Sequence, residues 1–375
     1  MISARYEGDS MGRPPLLVWV LVPTVETDDP NLSFYNDFSE GHAEFTRAFA
    51  ELDLDWRWQP ITMRDYREVI DTISASSACH TPVVFNLCDG DETNGSPGLS
   101  IIHYLDEAGL TYTGADAHFY EVTTSKIVMK EAFDRAGVPT SPWEVLKPTL
   151  KRTNGLFKRL GAPLIMKPAV SAGSMGITTK SVVMDEAGLL EQLKALRTGY
   201  HGWDLLGGGI FVERFVAGPE YTTFIVGSHE APERRIVYPP VERVFHGELP
   251  SAERFLSFDR LWGMYEQESP LEEGEDLWTY QQPPADLVPK ICEISWAAYA
   301  AVGGTGYGRV DLRQCAKTGE IYVLEVNAQC GLSEDENYTS IGAMLRFDRS
   351  PYSRIVQCIL DEAMSASAVP VSTRS

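Results

Sequence analysis

Two short segments toward the carboxyl end carry residue types that can do chemistry at strand spacing. Gly308-Arg309-Val310-Asp311-Leu312 and Val323-Leu324-Glu325-Val326-Asn327 both read as β-strands. Side chains alternate along a strand, so Arg309 shares a face with Asp311, and Glu325 with Asn327. Two such strands side by side would gather Asp, Glu and Asn next to an arginine. Hard oxygen donors in that cluster suit Mg²⁺ better than a softer metal. Taken alone, the pair also fits two amphipathic strands with charges on the wet face.

What lies upstream sharpens the choice. Ile165-Met166-Lys167-Pro168 reads as a strand ending in lysine, followed by Ser171-Ala172-Gly173-Ser174-Met175-Gly176. A Gly/Ser turn after such a strand can set backbone N–H groups around phosphate oxygens. It is not a Walker A loop, whose G-x-x-x-x-G-K-[ST] order is missing. No HRD or DFG element of a protein kinase is present. Gly303 to Gly308 (GGTGYG) lacks G-x-G-x-x-G spacing and runs into a strand where a dinucleotide site needs a helix. A third segment, Phe211 to Glu220 (FVERFVAGPE), offers a strand edge for an adenine ring and a carboxylate for ribose hydroxyls.

The elements that must position these residues alternate in type. Leu16–Val22 and Pro82–Leu87 read as buried strands, and residues 41–51, 65–73 and 99–108 as helices, which argues for a parallel α/β sheet. A second unit opens near Thr123, with a helix from Ser125 to Ala136 stopped by Gly137. Short strands follow at 143–146 and 163–167. Ile210–Phe215 is expected to form a hairpin with Tyr221–Val226. Residues 247–284 read as a long polar loop, with six carboxylates between Tyr265 and Asp276. A helix at 289–302 precedes the strands 306–313 and 320–327.

At 375 residues, 43% hydrophobic and 23% charged, the chain is long enough for two or three folded domains. Its formal charge of −21 repels phosphate backbones and anionic lipid, so neither nucleic acid nor a membrane surface is expected as a partner. Six cysteines without a CxxC pair read as reduced thiols, giving a cytoplasmic expectation.

In this order, MKP–SAGSMGI, FVERFVAGPE, GYGRVD and LEVN resemble the ATP-grasp superfamily, within it the D-alanine–D-alanine ligase-like group. The resemblance runs from about Val83 to Leu345. It implies an α/β chain with a Rossmann-like parallel N-terminal lobe (1–122), a small central α+β lobe (123–206), a C-terminal α+β lobe with an antiparallel sheet (207–365) and a tail (366–375). It implies ATP and two Mg²⁺ ions, Mn²⁺ substituting. Lys126, Lys167 and the loop Ser171, Gly173, Ser174, Met175, Gly176 would contact phosphates. Glu213, Arg214 and Val216 would line the adenine pocket, and Glu220 would bind ribose. Asp311, Glu325 and Asn327 would hold the metals, while Arg309 and the Gly331 N–H would stabilise an oxyanion. The implied reaction joins small amino-acid-like carboxylate and amine substrates through an acyl phosphate. Members are often homodimers through the N-terminal lobe.

The substrate regions depart from that group. Its Ser-Leu pair, which binds the second substrate's carboxylate, falls by count on Glu336-Asn337. A glutamate there favours a cation, unless a loop shift of one or two residues moves it into solvent. The His-Gly after the second strand is replaced by Cys88-Asp89-Gly90, making Asp89 a second substrate candidate, and the Glu-Ser motif is not recognisable in residues 23–39. Arg260 is the candidate for a mobile-loop cation near the γ-phosphate, and otherwise a solvated loop residue. Two alternatives stay open: a true D-alanine–D-alanine ligase, and an inactive nucleotide-binding regulator on the same fold.

Overall fold

The computed structural model describes residues 14–25, 37–93, 95–171, 173–199, 205–262 and 276–367. The first sheet is parallel, in the order β2-β1-β3-β4, from Trp56–Ile61, Leu16–Pro23, Thr81–Asn86 and Thr111–Tyr112. β1 is an unbroken apolar run because both its faces are covered, as parallel sheets require. Val18, Val20 and Val22 meet Phe45 and Phe49 of α1 (Ser39–Leu52). Leu17, Trp19 and Leu21 meet Ile70 and Ile73 of α2 (Tyr66–Ala75) and Ile101 and Leu105 of α3 (Leu99–Glu107). The strand–helix alternation expected from the sequence is therefore present. β2 went unread because its Trp-Arg-Trp-Gln-Pro-Ile has no apolar run and carries a proline.

After α4 (Ala117–Thr124) and α5 (Lys126–Ala136), the second sheet is antiparallel, β5-β8-β6-β7, from Trp143–Leu146, Ile210–Arg214, Leu164–Pro168 and Val182–Val183. Leu164, Met166, Ile210 and Val212 pack against leucines of α6 (Leu156–Leu160) and α7 (Glu186–Thr198). Alternation then turns Ile165, Lys167 and Glu213 to the other side.

The third sheet runs β12-β11-β9-β13-β14, with β10 (Ile236–Val237) also on β9. Its strands are Trp278–Gln281, Val241–Phe245, Glu220–Val226, Tyr307–Gln314 and Ile321–Ala328. Tyr221, Ile225, Val310, Leu312, Val323 and Val326 pack against α4, α5 and α9 (Val288–Ala301). The opposite face carries the charged residues.

Two expectations need correction. β8 and β9 do not form a hairpin: β8 pairs with β5 and β6, β9 with β11 and β13, and so β8 belongs with the central sheet instead of the C-terminal lobe. Gly218, at φ 150°, redirects the chain, and an added Cβ there would lie 2.1 Å from the Gln314 carbonyl. The stretch 247–284 is also not all loop. It contains the short α8 (Phe258–Trp262) and β12, while residues 263–275, which hold five of its six carboxylates, lie outside the described residues. Two further helices close the chain, α10 (Ser340–Asp348) and α11 (Tyr352–Ser367); residues 368–375 of the expected tail are not described. No helix among the described residues is long and apolar enough to cross a membrane.

Candidate active site

The charged faces of the central and third sheets, with the ends of β3 and α5, enclose a cavity of about 510 Å³. The strand register explains its lining. Across the third sheet, Thr222, Asp311 and Glu325 stand in one rung, and Arg243, Glu220 and Arg313 in the next. Asp311 accepts the Thr222 hydroxyl at 2.8 Å and is gripped by Arg309 at 3.0 and 3.2 Å. The Asn327 amide nitrogen lies 2.9 Å from Asp311 and 3.4 Å from Glu325.

Among the described residues no three His, Cys, Asp or Glu side chains converge, so the donor set is two carboxylates and one amide. That set fits a hard divalent cation which completes its shell with water and phosphate oxygens. Asn327 contributes its oxygen by a half-turn of its terminal torsion. The positive end of that amide, Arg309 and Lys126 balance the two carboxylates. Burial raises the Glu325 carboxyl, but Lys126, Lys167 and Arg309 outweigh it and hold it down at about 2.

Lys126, the first residue of α5, donates to the Ser171 carbonyl at 2.8 Å and lies 3.2 Å from Glu325. It thereby ties the Gly/Ser turn to the acidic rung. In that turn Gly173 (φ +51°) and Ser174 (φ +65°) are left-handed, the backbone form that lets successive N–H groups converge on an anion. The Ser171 hydroxyl is buried with no hydrogen-bond partner among the described residues, an orphan donor at the cavity wall. Glu213 is ion-paired to Lys130 at 2.7 Å and Lys167 at 2.8 Å. Burial raises Glu213, and the two ammonium groups more than reverse this, keeping it below the usual range. Burial lowers Lys167, but Glu213 and Glu325 outweigh it and keep its ammonium charged.

Asp89 lines the cavity and is open to it, yet protein surrounds it closely enough that burial raises its carboxyl to about 6. No cation of the described chain pairs with it. Gly331 also lines the cavity, as do Arg214 and Val216, although the Arg214 guanidinium turns away to the Leu160 carbonyl.

Five of the residues singled out by sequence lie elsewhere. Met175 packs into the central-sheet core, and Gly176 turns against Leu205 and Pro168. Arg260, 6% exposed, is tied to the Glu253 carbonyl and carboxylate at 2.7 and 2.9 Å, because α8 packs its turn inward. Glu336 and Asn337 are exposed, on a loop longer than the count allowed. In their place Ser340 and Ile341 line the cavity at the start of α10, whose first turn is capped by the Thr339 hydroxyl at 3.0 Å. A Ser–aliphatic pair opening a helix was the available signal. Arg243 was missed because β11, just ahead of the polar stretch, was not read as a strand. Arg313, two residues beyond Asp311 on the same face, was legible by period. These arginines engage both oxygens of Glu220, Arg313 at 2.8 Å, leaving it lone pairs to accept hydroxyl donors.

A family profile described as D-ala D-ala ligase C-terminus matches residues 132–357, more than half of the chain. The D-alanine–D-alanine ligase of Xanthomonas axonopodis pv. citri is 25% identical over 284 residues, 75% of this chain and 78% of that protein. The Bacillus anthracis D-alanine–D-alanine ligase, solved with ATP, covers 94% of this chain and 98% of its own at 17% identity and TM-score 0.64. VanG D-Ala:D-Ser ligase of Enterococcus faecalis superposes with TM-score 0.60 at 16% identity, covering 94% of this chain and 99% of its own. The fold is ATP-grasp, and the chain belongs to the D-alanine–D-alanine ligase family of carbon–nitrogen ligases.

Proposed function

We propose that this enzyme activates the carboxylate of one small amino-acid-like substrate as an acyl phosphate and joins it to the amine of a second, releasing ADP and phosphate. The observation that carries the reading is the meeting of Lys126, Lys167, Arg309, Asp311, Glu325 and Asn327 in one cavity. A carboxylate is a poor electrophile until phosphorylated, and phosphoryl transfer needs its charge neutralised and its oxygens placed in line. Asp311, Glu325 and Asn327 would hold two Mg²⁺ ions, which would supply that neutralisation. Lys126 and Lys167 hold phosphate oxygens, and Ser171, Gly173 and Ser174 donate to them from the turn. The β8 end around Glu213–Val216 receives adenine, and Glu220 receives ribose. Arg309 and the Gly331 N–H meet the oxyanion of the tetrahedral intermediate, each such donor contributing about 3 to 4 kcal/mol. The N-terminal, central and C-terminal lobes are assigned to residues 1–122, 123–214 and 215–365. Hydroxylamine added to enzyme, Mg·ATP and pooled amino acids should trap an acyl hydroxamate with ADP. Nucleotide turnover to AMP would exclude an acyl phosphate.

The second-substrate subsite keeps the family's chemistry, displaced along the chain. Backbone N–H groups at the start of α10 and the Ser340 hydroxyl suit a carboxylate. Ser340→Ala should therefore raise KM for the amine substrate about tenfold and leave KM for ATP unchanged, whereas Glu336→Ser should alter neither. Steady-state kinetics on the two variants decides this. The same feature favours D-alanine–D-alanine ligation as the second reading.

The first subsite differs through Asp89. A carboxylate facing the cavity without a cation suits a substrate ammonium. Its raised value means it is protonated, hence neutral, below about pH 6. In the wild type, 1/KM for the ammonium-bearing substrate should fall about tenfold per pH unit below 6. Asp89→Asn should flatten that limb and lower affinity at pH 8. An unchanged limb in the variant would remove Asp89 from the site.

A further inference from the structure

The turn that follows β14 is held by side chains reaching to the amino-terminal sheet. Gln329 is 2% exposed and sits at φ +51°. A non-glycine residue keeps that conformation only where its surroundings impose it. The Gln329 side-chain oxygen accepts the Ala115 N–H at 2.7 Å, and its amide nitrogen donates to the Asn86 carbonyl at 2.8 Å. Asn86 is the last residue of β3, and Ala115 follows β4 by three residues. Only a side chain with both an acceptor and a donor satisfies these two groups. The approach is close enough that a Cβ on Gly114 would lie 1.5 Å from the Gln329 oxygen. At the far end of the turn, Glu44 of α1, 6% exposed, accepts the Ser333 hydroxyl at 2.7 Å and the Glu334 N–H at 3.0 Å. Cys330, Gly331 and Leu332 lie between the two anchors, and all three line the cavity.

We infer that Gln329 is a positioning residue for the reaction: it clamps the β14 turn to the ends of β3 and β4 and so fixes the Gly331 N–H, with Glu44 as the second anchor. This rests on the oxyanion role proposed for Gly331. The clamp makes the amino-terminal sheet set the geometry of a donor that belongs to another part of the chain.

Gln329→Glu keeps the volume and sets two acceptors against each other at the Asn86 carbonyl. With Mg·ATP and the pooled D- and L-amino acids, its kcat should fall about 10²-fold, the usual cost of misplacing a catalytic group by roughly 1 Å. Affinity for Mg·ADP, set by residues elsewhere in the cavity, should stay within about twofold. Protonating the new carboxyl restores a donor, so the ratio of variant to wild-type kcat should rise as pH is lowered from 8 to 6. Wild-type kcat, or a loss of Mg·ADP binding equal to the loss of turnover, would overturn the inference. Should Gln329→Glu not fold, Gln329→Gly, suited to φ +51°, should show the same loss of kcat. Gly331→Pro separates the two claims. If it keeps turnover, the oxyanion reading fails; if it is inactive while Gln329→Glu is normal, only the clamp fails.

Discussion

Glu325→Gln and Asn327→Ala should each lower turnover by at least about 10³-fold while the protein stays folded. Both residues project from β14 into the cavity, and neither fills a core: the Glu325 side chain is 25% exposed. Under the proposed function, each substitution removes a donor to the divalent cation that would neutralise charge during phosphoryl transfer. Such stabilisation amounts to several kcal/mol, and each 1.36 kcal/mol is a factor of ten in rate. Asn327→Ala should shift the melting temperature little, whereas Glu325→Gln should lower it. Lys126, Lys167 and Arg309 outweigh burial and hold that carboxylate down at about 2, so its charge contributes stability. Turnover at fixed Mg·ATP, with Tm as the control for folding, checks both. Near-normal turnover in either variant would move the metal site off β14.

The largest stability effect should come from Glu213→Gln. Its carboxylate, 2% exposed, compensates Lys130, 1% exposed, and also Lys167. Removing one partner leaves a charge buried without its counterpart, which typically costs about 3 to 5 kcal/mol, a large share of the 5 to 15 kcal/mol that holds a domain folded. The Thr140 hydroxyl, 2.6 Å from the Lys130 ammonium, is too weak a partner to replace an anion. The pH dependence has a definite sign. Glu213 is depressed below its ordinary 4.5, so its stabilisation is complete above that value and disappears as pH falls through the lower folded value. Urea denaturation at pH 7 and in acid should show the gap between wild type and variant closing in acid. A variant within about 0.5 kcal/mol of wild type at pH 7 would mean the lysines find compensation elsewhere.

Much of the site was legible because strand period is strict. Arg309 and Asp311, then Glu325 and Asn327, fell on shared faces by alternation, and β13 and β14 are paired in register there. Lys167 likewise followed from its place at the end of an apolar strand. Apolar runs also made β1 and β3 plain. What alternation cannot reveal is which strands become neighbours. β8 and β9, two apolar runs joined by a short Gly-Pro turn, look like a hairpin and instead enter different sheets. Glu336 and Asn337, reached by a count from Gly331 that assumes a fixed loop length, fall outside the cavity lining. Here Ser333, Asp335 and Thr339 hydrogen-bond among themselves and carry the chain on to Ser340. Gln329 gave no signal, since its partners lie 214 and 243 residues away and are main-chain groups without sequence identity.

On the proposed function, the enzyme forms an amide by ATP-driven activation of a carboxylate as an acyl phosphate. The most direct test of this reading is release of nucleotide and phosphate from Mg·ATP with pooled D- and L-amino acids and small amines, each pool followed by mass spectrometry. The expected result is ADP, phosphate and a condensed product lighter than its two components by one water. AMP with pyrophosphate, or ADP release with no condensed product in any pool, would contradict it.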